Sequence, residues 1–413
     1  MANALLSPKV YANTFLALLK NKVVLPKLVT TEFKNEFKKV GNTVYAKRTP
    51  EFTVRDGAVA SVQDVVEGEI AITIDKQKGV DVQFTSVEET LTVDSLLKSK
   101  VMDAAAAQLA QQVDSDLHAL TKKFYNWAGT PGQTINSYSD LTKGPERLDI
   151  MAVPNDKRVG LLPPSDAWAM LGSLSGLTAQ TKEATDALTR AKLPMLGDID
   201  WYSTQNAASV TTGTRTGGAV DGANQSVSYA SVKDGSWTQD FDLKTLGNTK
   251  TVIEGEVFTI ADVYAVNPRS KVSTGIPQQF TVITGCTSDS GGVGTVTISP
   301  PIITSGAFQN VSAVPADSAA VVWMGDATAG NTDATTYGFG TIFRPEAIAL
   351  VSTKLIMPFT GEADYSTDPD TGLTVRYWRS SDSTNDTHMH RFDILYGCKM
   401  VDPRQGTRLS GTA

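Results

Sequence analysis

From about Asp94 to Trp127 the chain carries an uninterrupted amphipathic helix signal. Met102, Ala106, Leu109, Val113, Leu117, Leu120 and Phe124 step by three and four, which places them on one helix face, and Ala104 to Ala107 adds strong helix propensity. Asp94 and Ser95 are good N-cap types, and Gly129-Thr130-Pro131-Gly132 stops the run with two glycines around a proline. At 1.5 Å per residue, about 34 residues make a rod of about 50 Å. Such a rod is longer than a small core needs, and it predicts a spine crossing a broad, flat domain.

A second segment reads in the opposite sense. From Gln205 to Gly330 there is no helical periodicity, only short runs such as T-V-I-E-G-E-V-F-T-I, Q-Q-F-T-V-I-T-G and G-T-V-T-I-S-P-P bounded by Gly and Pro. Evenly spaced short strands of this kind predict a small all-β unit. Ahead of the spine, Ile70, Ile72 and Ile74 alternate in E-I-A-I-T-I-D, and Val80, Val82 and Phe84 alternate in G-V-D-V-Q-F-T. With Lys76, Gln77, Lys78 and Gly79 as a polar reversal, the pair predicts a β-hairpin with one apolar face. Shorter helices are expected over residues 8–20, Asp140 to about Met151, Pro163 to Leu171 and Ala179 to Ala191, and strands over Ile199 to Ser203 and Phe392 to Met400. The fold class is therefore α+β, a mixed body interrupted by a β-rich insertion.

Composition narrows the class of protein. A chain of 413 residues with 41% hydrophobic side chains has length for two or three packed units. Its two cysteines, Cys286 and Cys398, form no CxxC or Cys/His pattern, which points to a reducing compartment and away from a disulfide framework or zinc ribbon. No run approaches the ~18 to 20 apolar residues of a membrane span, and Val10 to Leu19 is broken by Asn13 and Thr14 with no cleavage site after it, so neither a span nor a secretory signal is expected. The net charge of −7 argues against a sequence-scanning DNA binder. That charge is unevenly placed. The first 50 residues hold nine basic side chains against two acidic ones, so a local +7 leaves −14 for the rest.

Catalytic chemistry finds few residues to use. Of the three histidines, His118 lies on the spine, while His388 and His390 share a strand face near Asp386 and Asp393 but lack a third soft ligand. Asp368-Pro369-Asp370-Thr371-Gly372 departs from a calcium loop, because Gly arrives one position early and Arg379 stands where a bidentate Glu belongs. It is read as a surface turn. Asp114 and Asp116 point to different helix faces and cannot act as a pair. There is no GxxxxGK[ST], no GxGxxG after a strand, no GxSxG and no HExxH. The expectation is a protein that is not an enzyme, with no cofactor and no metal.

An ordered set of fragments supplies more: TEFKNEFKKVGNTVYAKRTPEFTVRDGA (Thr31 to Ala58), QDVVEGEIAITIDKQKGVDVQFTSVEETLTVD (Gln63 to Asp94), AAAAQLAQQVDSDL (Ala104 to Leu117), GTPG, and MAVPNDKRVGLLPPSDAWAML (Met151 to Leu171). In these the chain resembles the major capsid (coat) proteins of short-tailed, Salmonella-type bacteriophages, the coat family with an inserted domain. The similarity covers the first ~205 residues in order and the C-terminal part more loosely. The resemblance implies the tailed-phage and herpesvirus major capsid fold. Its parts would be an N-terminal arm (1–40), an extended β-hairpin loop (41–92), a spine helix with the first part of the peripheral and axial domains (93–204), a β-rich insertion domain (205–330), and the C-terminal part of those domains (331–413).

The same resemblance implies a structural role. The chain would self-assemble as hexamers and pentamers into an icosahedral capsid shell around packaged double-stranded DNA. Its partners would be other copies of itself, a scaffolding protein and a portal protein at one vertex; it would be part of the virion capsid, assembled in the host bacterial cytoplasm, with no membrane partner. The alternative is an encapsulin-like nanocompartment shell, which shares the fold. Arg55, Asp56, Lys76 and Lys78, at the base and tip of the hairpin, are the expected intersubunit contacts. Lys20, Lys22, Lys27, Lys34, Lys38 and Lys39 are expected on the inner face, toward an acidic scaffold patch or the packaged DNA.

Overall fold

A computed structural model of the chain describes residues 8–31, 43–55, 57–60, 62–91, 100–175, 195–235, 237–325 and 334–412. In chain order, helix α1 (Pro8–Lys22) and a 3-10 turn (Leu25–Lys27) precede strands β1 (Thr43–Lys47), β2 (Glu69–Thr73) and β3 (Lys76–Thr85), then helices α2 (Ser86–Leu91) and α3 (Lys100–Leu120). Strand β4 (Asn126–Ala128), helix α4 (Tyr138–Ile150), strand β5 (Val159–Leu162), helix α5 (Pro164–Ser175) and strand β6 (Asp200–Ser203) follow. The β-rich stretch holds β7 (Ser209–Thr211), β8 (Ala219–Val220), the one-turn helix α6 (Tyr229–Val232), β9 (Gln239–Lys244), β10 (Thr251–Val252), β11 (Val257–Val266), β12 (Ser273–Thr284), β13 (Cys286–Thr287), β14 (Gly294–Ser299) and β15 (Val321–Trp323). The chain closes with β16 (Thr336–Gly338), β17 (Gly340–Phe343), β18 (Ile348–Thr353), β19 (Glu362–Thr367), β20 (Thr374–Asp382), β21 (Thr387–Met400) and β22 (Gly406–Leu409).

These elements gather into two compact units. The first comprises residues 1–45, 71–118 and 348–399. Its sheet has the order β18-β21-β20-β19, with β3 paired antiparallel along β21 from Lys76↔Tyr396 to Thr85↔Thr387. Strand alternation puts Phe392, Ile394 and Tyr396 on the face that is fully buried. Helix α1 is amphipathic and covers that face: Ala12, Phe15, Leu16 and Leu19 are buried, Phe15 stacks on Phe392 at 4.1 Å, and Tyr11 stacks on Tyr377 at 5.1 Å. Lysines in its last turn suit the helix dipole, and Lys20 reaches Asp368 at 3.0 Å and Asp370 at 2.5 Å. The Asp368 turn lies at the surface as read, with Pro369 and Asp370 exposed, while Asp368 itself is only 3% exposed and anchors this helix.

The second unit comprises residues 46–70, 119–347 and 400–413. A five-stranded mixed sheet, order β4-β22-β17-β5-β6, packs against α4 and α5 through Leu141, Leu148, Leu162, Ala167, Trp201, Ile342 and Leu409. Beside it stands a six-stranded antiparallel sheet, order β15-β11-β12-β14-β9-β8. A bridge between Ala219 and Ala320 joins its two edges, so the sheet closes on itself around Phe241, Phe258, Phe280, Ile298 and Trp323 and leaves no long edge exposed. Among the described residues of this stretch the elements are strands, apart from the one turn of α6. Arg408 of β22 is fully buried against β12. It donates to Thr281 Oγ1 at 2.8 Å and to the Gly255 carbonyl at 2.5 Å, beneath the rings of Trp127 and Phe339.

Two expectations need correction. The spine helix stops at Leu120, with a 3-10 turn over Thr121–Lys123 before the chain turns extended. Phe124, which looked like one more helical step, is a fully buried residue stacked near Phe343 at 6.1 Å. Residues 92–99, with the Asp94 and Ser95 cap, and the Ala179 to Ala191 helix lie outside the described residues. The predicted hairpin strands both exist but do not pair with each other: β2 pairs β1, and β3 pairs β21. Gly79 explains the difference. It is not a turn residue but sits inside β3, where a Cβ would overlap the Asp393 carboxylate and come within 2.9 Å of the Phe392 carbonyl.

Candidate intersubunit surface

Strands β1 and β2 pair and enclose residues 48–68, whose described residues are extended or irregular. Pro50 and Gly57 interrupt any ladder here, and the apolar side chains find no core. Val54 is 95% exposed, Val62 92%, Val59 85% and Val65 62%, with Phe52 also exposed. Scattered exposed valines are ordinary, but this many along one loop make it a candidate contact surface. Burying each valine against a partner is worth about 1.5 kcal/mol.

The loop holds its own shape. Gln63 Oε1 accepts from the Thr53 amide and hydroxyl, each at 2.9 Å, and Gln63 Nε2 donates to the Thr53 carbonyl at 2.6 Å. One side-chain amide thereby replaces a rung of backbone pairing. Arg55 folds back to donate to the carbonyls of Gly57 and of Val59, the latter at 2.9 Å. Lys47 pairs with Glu67 at 2.6 Å at the mouth of the loop, and the Arg48 amide donates to the Gly68 carbonyl at 2.8 Å.

Its root is anchored on the β-rich part of the same unit. Arg48, 6% exposed, donates to the carbonyls of Lys233 and Gly235 at 3.3 and 2.8 Å, with its guanidinium 5.0 Å from the Trp237 ring. Burial lowers its pKa to about 10. Glu51 is gripped by Arg404, which Asp402 holds at 2.9 and 3.0 Å, and Lys271 approaches Glu51 at 3.6 Å. Burial opposes charge on Asp402, yet Arg404 keeps its carboxyl below the usual range; in turn Asp402 and Glu51 raise Arg404 against the same burial. At Gly68 a Cβ would overlap the Lys233 carbonyl oxygen. No short-range pattern announces contacts between residues 51 and 404, although Asp402-Pro403-Arg404 reads as an N-cap with Pro at the first turn, and Asp402 does accept from the Arg404 amide at 3.0 Å.

The sequence-predicted contact residues are not brought together. Arg55 serves the loop itself, and Lys76 is committed to Asp116 at 3.1 Å. Lys78 is half-buried on β3, and Asp56 lies outside the described residues. Among the basic N-terminal residues, Lys20 holds Asp368 and Asp370, Lys22 holds Asp103 at 3.0 Å, and Lys27 is exposed. Lys34, Lys38 and Lys39 lie outside the described residues.

The first unit has an apolar surface of its own. Residues 354–361 cross its sheet with the Ile356 carbonyl held by Arg376 at 2.6 Å and the Thr360 carbonyl by Trp378 at 3.0 Å, leaving Ile356 78% exposed and Phe359 wholly so. His388 and His390 do share a face of β21, but Asp393 points to the other face and pairs with Arg376 at 2.5 Å and Arg391 at 2.8 Å. His390 is buried, with Nδ1 2.7 Å from the Tyr377 hydroxyl. Among the described residues no three His, Cys, Asp or Glu side chains cluster as metal ligands, and no helix is long and apolar enough to cross a membrane.

Anchored loops that display apolar side chains suit a subunit that binds other proteins. The family model for the P22 coat protein (gene protein 5) matches residues 31–411, so the chain belongs to the P22 coat protein family. It is a structural subunit that self-assembles into a phage capsid shell, and a component of the virion. Among solved structures it is similar to Mycobacterium phage Che8 (14% identity, covering 94% of this chain and 90% of that one, TM-score 0.47) and to the capsid of Ralstonia phage GP4 (9% identity, 93% and 87%, TM-score 0.44). Residues amounting to 27% of this chain cover 97% of the CUS-3 coat protein I-domain at 29% identity, with a TM-score of 0.20. No curated protein matches.

Proposed function

We propose that the chain closes an icosahedral shell as hexamers and pentamers around double-stranded DNA, and that residues 48–68 make the contact by lying on an adjacent copy. The observation that carries this is the row Val54, Val59, Val62 and Val65, exposed on a loop whose root is fixed by Arg48, Glu51 and Arg404. A fixed root presents the row in one direction, which lowers the ordering entropy of docking. The sequence divisions at 1–40, 41–92, 93–204, 205–330 and 331–413 are retained as the arm, loop, spine, insertion and C-terminal parts of this subunit. A scaffolding protein and a portal at one vertex are its partners during assembly in the host bacterial cytoplasm, and exposed Lys27, with Lys34, Lys38 and Lys39, meets the acidic scaffold or the DNA. Arg55 and Asp56 remain proposed as charged contacts on the loop, and Lys76 and Lys78 as charged contacts on β3. The subunit performs no catalysis. Family membership over residues 31–411 favours this reading over the nanocompartment alternative. Electron microscopy of the chain co-expressed with its neighbouring genes tests it. Uniform closed shells are expected, and monomers or fibres alone overturn it.

A further inference from the structure

The six-stranded sheet is an insertion: the chain reaches it through β7 and leaves through β16, and those two strands pair with each other. A single strand pair is a narrow attachment, on which an inserted unit is free to pivot unless something else holds it. Besides the apolar group Trp127, Val210, Val257 and Phe339, polar side chains of β12 and β22 make the joint with the five-stranded sheet. Gln279 of β12 acts as a rung along β4. Its Oε1 accepts the Trp127 amide at 2.7 Å, and its Nε2 donates to the Trp127 carbonyl at 2.9 Å. Arg408 of β22, in register with Trp127, donates to the carbonyls of Gly255 and Lys122 and to Thr281 Oγ1. Gly255 and Thr281 belong to the insertion, and Lys122 to the turn after α3, so one guanidinium gathers acceptors from three separate segments.

Arg158, Arg215 and Arg344 of the same unit are each neutralised by a carboxylate. Arg408 is not: it is fully buried, burial lowers its pKa to about 9, and no carboxylate among the described residues faces it. A buried charge without a counter-ion is tolerated only where its donors are met, and Arg408 Nε already lacks a partner. Tilting the insertion away from β22 withdraws the Gly255 and Thr281 acceptors. Water cannot replace them beneath the buried rings of Trp127 and Phe339, which lie 5.2 and 5.4 Å from the guanidinium. Even a small rotation therefore strands the cation, which makes the joint stiff.

We propose that Arg408 is a positioning residue that sets the orientation of the six-stranded sheet on the five-stranded sheet, so that the insertion moves together with the rest of its unit. Spin labels on Tyr202→Cys of β6 and Val322→Cys of β15, both exposed positions, report the separation of the two sheets by pulsed electron spin resonance. The full, unassembled chain is used, with Cys286→Ser and Cys398→Ser removing the native thiols. With Arg408 present a single narrow distance is expected. Arg408→Met, which keeps the apolar stem and removes the donors, is expected to widen it about twofold or more, with Arg408→Lys in between. Thr281→Val removes one acceptor without touching the charge; it is expected to widen the distance too, and it carries the comparison if Arg408→Met does not fold. A lowered Tm with the distance still narrow in the folded variants assigns Arg408 to stability alone and overturns the proposal. A broad distance with Arg408 in place overturns it as well.

Discussion

Gly79 of β3 stands in register with Asp393 of β21, and it has no Cβ because the Asp393 carboxylate and the Phe392 carbonyl occupy that space. The carboxylate cannot swing away, since Arg376 and Arg391 hold it from both sides at 2.5 and 2.8 Å. Gly79→Ala is therefore expected to lower stability by about 1–3 kcal/mol, the cost of overpacking a fixed site. Gly172→Ala is the contrast, because nothing lies within 4 Å of its Cβ position in helix α5. There alanine is expected to stabilise by about 0.5–1 kcal/mol. Urea midpoints of the two variants check both, and a neutral Gly79→Ala refutes the crowding argument.

Asp114 on α3 is 4% exposed and accepts the Val24 amide at 3.1 Å; burial raises its carboxyl pKa to about 6 from 3.8. A carboxyl with a raised folded pKa binds protons more tightly when folded, so its contribution to stability increases as pH falls from about 6 toward 4. His118, one turn along, works the other way: burial lowers it to about 4, so stability is lost as pH falls from 6.5 to that value. Comparing wild type with Asp114→Asn removes the histidine from the difference. The stability of wild type relative to the variant is expected to rise by about 1–2 kcal/mol between pH 7.5 and pH 5. A flat difference shows that Asp114 does not titrate in this window.

Glu51→Gln keeps the shape of the side chain and removes its charge from between Arg404 and Lys271. Leaving half-buried cations less well paired is expected to destabilise the loop root by about 1–3 kcal/mol. Amide hydrogen exchange over residues 47–68 should accelerate by about tenfold or more, while strands of the five-stranded sheet keep their protection. Uniform acceleration across the chain would mean that Glu51 serves global stability rather than the loop.

Val62→Asp changes a side chain that is 92% exposed. Subunit stability is expected to stay within about 0.5 kcal/mol of wild type. Assembly should fail, because a charge placed in an apolar contact must be desolvated without a partner. Light scattering and sedimentation of the purified variant decide the matter, and normal shells from Val62→Asp remove this loop from the interface.

The elements that were legible in the sequence are those whose signal is local. Helices α1, α4 and α5 lie where the sequence placed helices, though α4 starts two residues earlier than read, behind Ser137, whose hydroxyl accepts the Asp140 amide at 3.1 Å. The all-β stretch follows from short apolar runs cut by Gly and Pro. Pairing was not legible in the same way. Ile70, Ile72 and Ile74 alternate as a strand whether the partner is β3 or β1, and Gly79 looks like a turn because a glycine that makes a turn and one that makes room have the same local sequence. The spine was overread at Phe124, where a three-and-four step continued by chance into an extended segment.

By itself the sequence determined the α+β class, the kinds of most elements and the scarcity of catalytic residues, because periodicity and composition act over a few neighbouring residues. Tertiary structure alone decided which strands pair, which lysines are already engaged within their own unit, and how the loop root is built from Arg48, Glu51, Trp237, Lys271 and Arg404. Those contacts join residues from about eighty to more than three hundred positions apart, and each is fixed by charge, shape and desolvation that exist only once the chain has brought them together.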